Sequence, residues 1–205
     1  MKDNFVLLND ELPEAIYDIR YFTDNNFIGR RIDGYEGSFA ILTKQAATAL
    51  KAVSEEFSGK GLKLKIFDGF RPQRAVDHFV RWAEDISDTK MKESYYPDVD
   101  KKNLFKEGYI AEKSGHSRGS TIDLTVVDSA TGEELDMGSG FDFFGEISHP
   151  LYQGELTEKQ KENRMLLRET MLKHGFLPLE SEWWHFTLKD EPFPDTYFDF
   201  PVNRL

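Results

Sequence analysis

The sequence predicts an α+β fold in a single domain spanning residues 1–205. Three observations carry this reading. The 205 residues are the length of one ordinary domain, and a composition 39% hydrophobic and 14% aromatic supplies a real core. Strand and helix patterns are mixed without strict βαβ alternation. The chain also lacks internal repeats, low-complexity tracts and Gly/Ser linkers.

Residues 16–22 (IYDIRYF) read as a short strand, followed by a polar turn over residues 23–26. Over residues 43–57 the apolar Ala46, Leu50, Val53 and Phe57 recur at helical spacing, and Gly59 stands where a C-terminal cap is expected. Leu62, Leu64 and Ile66 alternate with lysines and predict a strand with one buried face. Asp68, Gly69 and Phe70 then turn the chain. Pro72 is placed to open a second helix carrying Ala75, Val76, Phe79, Ala83 and Ile86. Residues 87–113 are polar and irregular, and are expected to wrap the surface or edge a cleft. Residues 121–127 (TIDLTVV) are β-branched and predict a core strand. Residues 128–155, rich in Gly and Asp, form a loop too long for a mere connector. Thr157 and Gln160 make a capping-box pair that opens a helix through Lys173, stopped by Gly175. Residues 183–188 (WWHFTL) predict a last aromatic strand.

Charge and cysteine count exclude several classes of partner. Lys and Arg number 26 against 37 Asp and Glu, a net charge of −11. A chain that acidic is a poor partner for nucleic acid, whose affinity comes from Lys/Arg neutralisation, and is repelled by anionic membrane surfaces. There is no apolar run of about 18 residues, and the first residues lack a secretory hydrophobic region. A cytoplasmic location is expected, or a periplasmic one where a leader has been removed. The expected partner is a small-molecule substrate, and a homodimer is left open. With no cysteine, disulfides, thiolate zinc sites and cysteine nucleophiles are excluded. Any metal must be held by His, Asp or Glu.

The densest chemical information lies in residues 114–123 (SGHSRGSTID). On an uninterrupted strand, the odd separation of His116 and Asp123 would put them on opposite faces. Gly119 supplies a break, so His116 can lie on the loop entering the strand while Asp123 points from it into the same site. An imidazole nitrogen and a carboxylate oxygen are both ordinary zinc ligands. A third ligand must come from His78, His149, His174 or His185. His78 reads as a surface residue of a helix. His174 reads as a cation at a helix C-terminus, where the dipole favours it. His149 sits in a Ser-His-Pro loop and reads as structural or as a supporting group. His185 stands in Glu182-Trp183-Trp184-His185, inside the aromatic strand, with a neutral core histidine as the alternative. An offset of three on a pure strand points to opposite faces, so Glu182 is expected on the turn before the strand if both serve one site. A carboxylate beside a metal-held water is what general-base hydrolysis needs.

The Ser-x-His-x-x-Gly-x-x-x-Asp pattern from Ser114 to Asp123, followed by Glu182-x-x-His185, resembles the zinc-dependent D-alanyl-D-alanine dipeptidases of the VanX type. Other stretches agree: residues 21–27 (YFTDNNF), 68–72 (DGFRP), 93–97 (ESYYP), 136–143 (DMGSGFDF) and 198–202 (FDFPV). The resemblance runs from about residue 10 to the C-terminus. It implies a hedgehog-like fold shared with D,D-peptidases, with a small, mostly antiparallel central sheet flanked by helices. It implies one Zn2+ per chain held by His116, Asp123 and His185, with Glu182 as catalytic base and Arg71 stabilising the oxyanion. It places Tyr21, Ser114 and Asp142 around the substrate's termini. The segments Phe144-Gly145-Glu146 and Pro150-Leu151 depart from the family's pattern in a loop expected to shape the cleft.

The resemblance thus implies a zinc metallodipeptidase that splits D-alanyl-D-alanine into two D-alanines, with Glu182 assisting the attack of water. Such an activity serves glycopeptide resistance or the recycling of wall-derived dipeptide. Two other readings keep the metal. One is a zinc D,D-carboxypeptidase or endopeptidase acting on longer peptidoglycan peptides. The other is a non-catalytic, zinc-stabilised wall-peptide-binding domain, against which Glu182 argues.

Overall fold

The computed structural model describes residues 2–205. The chain begins with β1 (Phe5–Leu7), α1 (Leu8–Glu11) and β2 (Ile16–Tyr17), then takes a 3-10 turn at Arg20–Phe22 on its way to β3 (Ile41–Thr43). There follow α2 (Lys44–Ser58), β4 (Leu62–Asp68), α3 (Gln73–Glu84) and the short α4 (Lys92–Tyr95). The second half holds β5 (Thr121–Asp128), α5 (Glu158–Lys173), β6 (Phe176–Leu179) and β7 (Glu182–Leu188). Five strands form one sheet in the order β2-β4-β5-β7-β6, antiparallel throughout except for the β2–β4 pair. β1 and β3 form a separate antiparallel pair. This is the predicted α+β architecture.

β5 is the middle strand, and its β-branched run is buried from Thr121 to Val127. Its apolar Ile122, Leu124 and Val126 alternate with the buried polar Thr121, Asp123 and Thr125, so both faces are covered but only one is apolar throughout. α2 packs on β4 with Ala46, Leu50, Val53 and Phe57 inward. Burying each of the larger three contributes about 1.5–3 kcal/mol. Thr43 caps α2 by accepting the Ala46 N–H. α5 carries the expected capping box, Thr157 and Gln160 bonding reciprocally, and ends at Gly175 with φ +85°. No helix among the described residues is long and apolar enough to cross a membrane.

Four local expectations change. Residues 16–22 form only the two-residue β2 followed by the 3-10 turn, in which the Phe22 and Thr23 N–H groups bond back to the Ile19 and Arg20 carbonyls. Pro72 stands one position earlier than expected, as the N-cap of α3. Ile86 lies beyond that helix and is exposed. His78 is mostly covered: its Nδ1 accepts the Asp33 N–H at 3.1 Å.

Gly119 joins the turn bearing His116 to β5. Its φ is +84°, and a Cβ there would collide with the Phe5 ring. Both terms oppose any side chain, so Gly119→Ala should lower stability by about 2–5 kcal/mol, the sum of left-handed strain and overpacking. Urea unfolding of the metal-free protein measures this; an unchanged midpoint would mean that Phe5 gives way freely.

Candidate metal centre and active site

Sheet register places three chemical groups side by side. In the β5–β7 ladder Asp123 pairs directly with His185, and across β4–β5 it pairs with Asp68 after an irregularity between Ile66 and Asp68. His116 comes from a 3-10 turn at Gly115–Arg118, which the left-handed Gly119 returns to the strand. The break read from the sequence therefore operates as expected.

Donor atoms converge. His116 Nε2 lies 3.2 Å from Asp123 Oδ2 and 3.3 Å from His185 Nδ1, and His185 Nδ1 lies 3.2 Å from Asp123 Oδ1. Ligand atoms of a tetrahedral ion with bonds of ~2.1 Å stand about 3.4 Å apart. With one donor atom from each residue, all three lie within 4.8 Å of one another, close to what a small divalent ion needs. Asp123 Oδ1 is buried and accepts no hydrogen bond, an oxygen in want of a cation. His116 Nδ1 lies 2.7 Å from the Gly69 carbonyl, which leaves Nε2 with its lone pair facing the cluster. Gly69 is required here, since a Cβ would come within 2.7 Å of the Ile41 carbonyl oxygen. Among the described residues, His116, Asp123 and His185 form the one group of three or more His, Asp or Glu placed to hold a metal.

Glu182 completes the cluster from one side, its Oε2 3.3 Å from His185 Nδ1. It is the first residue of β7, not part of a preceding turn. The β6–β7 ladder changes register between Pro178 and Leu179, and this irregularity brings residues three apart to the same site. Burial alone would lower the His185 imidazole, but the Asp123 and Glu182 carboxylates overcome it and push it up to about 9. Asp123 is also opposed by burial, yet His116 and His185 hold it well below the usual carboxylate range.

Arg71 leaves the β4 turn and is clamped. Its Nε donates to Asp68 Oδ2 at 2.9 Å and its Nη2 to Asp123 Oδ2 at 3.4 Å, while its guanidinium carbon lies 4.8 Å from the centre of the Tyr21 ring. Asp68 also accepts the Tyr35 hydroxyl at 2.6 Å. The sequence reading missed Asp68: it shares parity with Leu64 and Ile66, and only the irregularity between Ile66 and Asp68 sets it against Asp123. Tyr21 donates to Asp142 Oδ2 at 2.7 Å. Burial first, and then the charge of Asp123, holds the Asp142 carboxyl well above its ordinary range. Asp142 is the one non-glycine residue with positive φ among the described residues, at 60°. Ser114 caps the His116 turn by accepting the His116 N–H at 3.3 Å.

All eight residues singled out from the sequence line one cleft of about 410 Å³. His78, His149 and His174 lie outside it. Residues 108–111 edge it, as expected of that irregular stretch. Of the divergent loop only Phe144 reaches the cleft; Glu146 and Leu151 line a separate hollow with His149 and Glu180.

Two imidazoles, one carboxylate and a neighbouring free carboxylate in an open cleft make up a metallohydrolase centre. The comparisons narrow the class. A family profile described as D-ala-D-ala dipeptidase, of the peptidase M15 group, matches residues 1–203. The chain is 44% identical to a D-alanyl-D-alanine dipeptidase of Enterococcus faecalis over 99% of this chain and all of that one. It is 43% identical to that of Streptomyces coelicolor over 94% of this chain and 96% of that one. The chain belongs to the D-Ala-D-Ala dipeptidase family. A solved zinc complex of the vancomycin resistance D,D-pentapeptidase VanY is a distant likeness, 14% identical with a TM-score of 0.45 over 78% of each chain.

In the metal-free protein the His185 ring should titrate near 9, and Glu182→Gln should lower that midpoint because one of two raising carboxylates is lost. Ring-proton NMR reads both; a wild-type midpoint at the ordinary imidazole value would refute the arrangement.

Proposed function

We propose that residues 1–205 form one catalytic domain that hydrolyses D-alanyl-D-alanine to two D-alanines, with one zinc ion on His116, Asp123 and His185. The observation that carries this reading is the free carboxylate of Glu182 3.3 Å from a ligand nitrogen, beside the donor set. A purely structural site closes its coordination with protein ligands instead. Bound zinc would supply Lewis acidity and lower the pKa of water.

The residues do the rest. Glu182 takes a proton from the attacking water and passes it to the leaving amine as the peptide C–N bond breaks. Arg71, fixed by Asp68, presents its guanidinium to the charge that develops on the carbonyl oxygen. Its position over the Tyr21 and Phe79 rings, 4.8 and 5.2 Å from their centres, keeps it pointing into the cleft. Asp142 and Tyr21 receive the substrate ammonium. That ammonium adds counter-charge to the partial compensation that Arg71 gives the buried Asp142, so binding favours its ionised form. Ser114, with its hydroxyl oxygen engaged by the His116 N–H, retains a proton to donate to a substrate carboxylate.

Glu182→Ala should retain about one zinc per chain but lose turnover by ~10²–10⁴-fold, since it moves protons and holds no metal. Metal analysis beside a D-Ala-D-Ala assay separates the two roles, and loss of zinc would make Glu182 a ligand. His185→Ala is the converse and should lose both.

The cleft should also select for length. Acylating the dipeptide removes the charge that Asp142 pairs with, and sites built around a polar group reject analogues lacking it by ~10⁴–10⁵-fold. We expect free D-Ala-D-Ala to exceed its N-acetyl derivative in kcat/KM by about a hundredfold or more. Equal values would move the assignment to a carboxypeptidase acting on longer wall peptides.

A further inference from the structure

Arg164 projects from the inner face of α5 and is only 2% exposed. Charged side chains are almost never that buried without a partner. Its partners are neutral: Nε donates to the Met137 carbonyl at 2.6 Å, Nη2 to that of Ile147 at 2.7 Å, and Nη1 to that of His149 at 2.8 Å. Burial lowers its pKa to about 10, which leaves it charged near neutrality. A fixed charge spent on three carbonyls organises backbone.

The three acceptors lie at the two ends of one segment. Met137 precedes it, and Ile147 and His149 follow, so one guanidinium draws the feet of a loop over residues 137–149 together. Asp142 stands at the tip of that loop with its φ of 60°. One more bond ties the loop to the site and another braces it from within. Trp183, the neighbour of Glu182, donates its indole N–H to Ser139 Oγ at 3.0 Å, and Ser148 Oγ donates to the Phe143 carbonyl at 2.6 Å. The tip is held separately by Phe141, stacked 4.6 Å from Phe67. Loss of Arg164 would therefore shift the loop without dissolving it. Displacements of about 1 Å are enough to cost ~10²-fold in an active site.

We propose that Arg164 is a positioning residue for recognition of the substrate's amino terminus: by joining the feet of the 137–149 loop it sets where Asp142 stands, and so how strongly a free ammonium is preferred to an acylated one. This rests on the assignment of Asp142 made above, and the experiment keeps the two apart.

Arg164→Met, Arg164→Lys, Asp142→Asn and the Arg164→Met/Asp142→Asn double variant are compared on free and N-acetylated D-Ala-D-Ala. Zinc content is measured for each, and amide hydrogen exchange is followed in the metal-free proteins. Arg164→Met should raise KM more than it lowers kcat, and should cut both kcat/KM on the free dipeptide and the free-to-acetylated ratio about tenfold or more. Zinc should be retained, and exchange should quicken over residues 137–149 while β5 and β7 stay protected. In the Asp142→Asn background the same substitution should cost less than about threefold, because coupled residues are not additive. Arg164→Lys keeps a charge but fewer donors and should fall between; it replaces the methionine variant if that protein does not fold. Equal losses on both substrates, or unchanged exchange in the loop, overturn the proposal. A ratio that falls in Asp142→Asn but in neither Arg164 variant overturns the positioning role alone. A ratio unmoved by Asp142→Asn overturns the ammonium assignment and this inference with it.

Discussion

The pairing of Asp123 with His185 across the β5–β7 ladder is the constraint on which the rest of the site depends. Side chains alternate along a strand, so slipping this register by one residue would send both groups to opposite faces. The irregularity in the β4–β5 ladder sets Asp68 against the same Asp123, and through Asp68 it fixes Arg71. The irregularity in β6–β7 does the same for Glu182. Each departure from ideal ladder geometry re-aims one functional side chain. The regular pairs hold the frame against which they are measured.

Charge explains why these groups occur as a unit. Asp123 is buried beside His116, His185 and Arg71, and neither its carboxylate nor the Arg71 guanidinium would be cheap to bury alone. Removing one partner leaves the others as unpaired buried charge. The same surroundings divide the carboxylates by task. Asp123, beside His116 and His185, is held ionised; Asp142, whose close neighbour is the Tyr21 hydroxyl and whose nearby charges include Asp123 and Glu182, is held toward its neutral form. Carboxyl groups pushed apart in this way can serve different steps of one reaction.

Much of this was legible in the sequence, for identifiable reasons. β5 announced itself by its β-branched run, and α5 because its capping box and Gly175 mark both ends. His116 and Asp123 could be brought together on paper because Gly119 interrupts the strand's alternation. Three features were not legible. The β6–β7 irregularity that places Glu182 is a property of two strands together, with no mark in either alone. Residues 16–22 have the composition of a strand, but local backbone bonds from Phe22 to Ile19 and from Thr23 to Arg20 turn the chain instead. Asp68 and Arg164 both lie on apolar periodicities, where a polar residue reads as an interruption until its buried partners are seen.

The distances along the chain between these partners govern when the site can come into being. His116 and His185 are 69 residues apart, and Tyr21 and Asp142 are 121 apart. Contacts of such separation carry a loop-closure cost that local helices do not, and they form late in folding. The last strand to be synthesised, β7, carries both His185 and Glu182. A growing chain therefore presents no complete donor set until that strand has emerged and docked. A metal site on these residues is therefore completed by the last strand to dock.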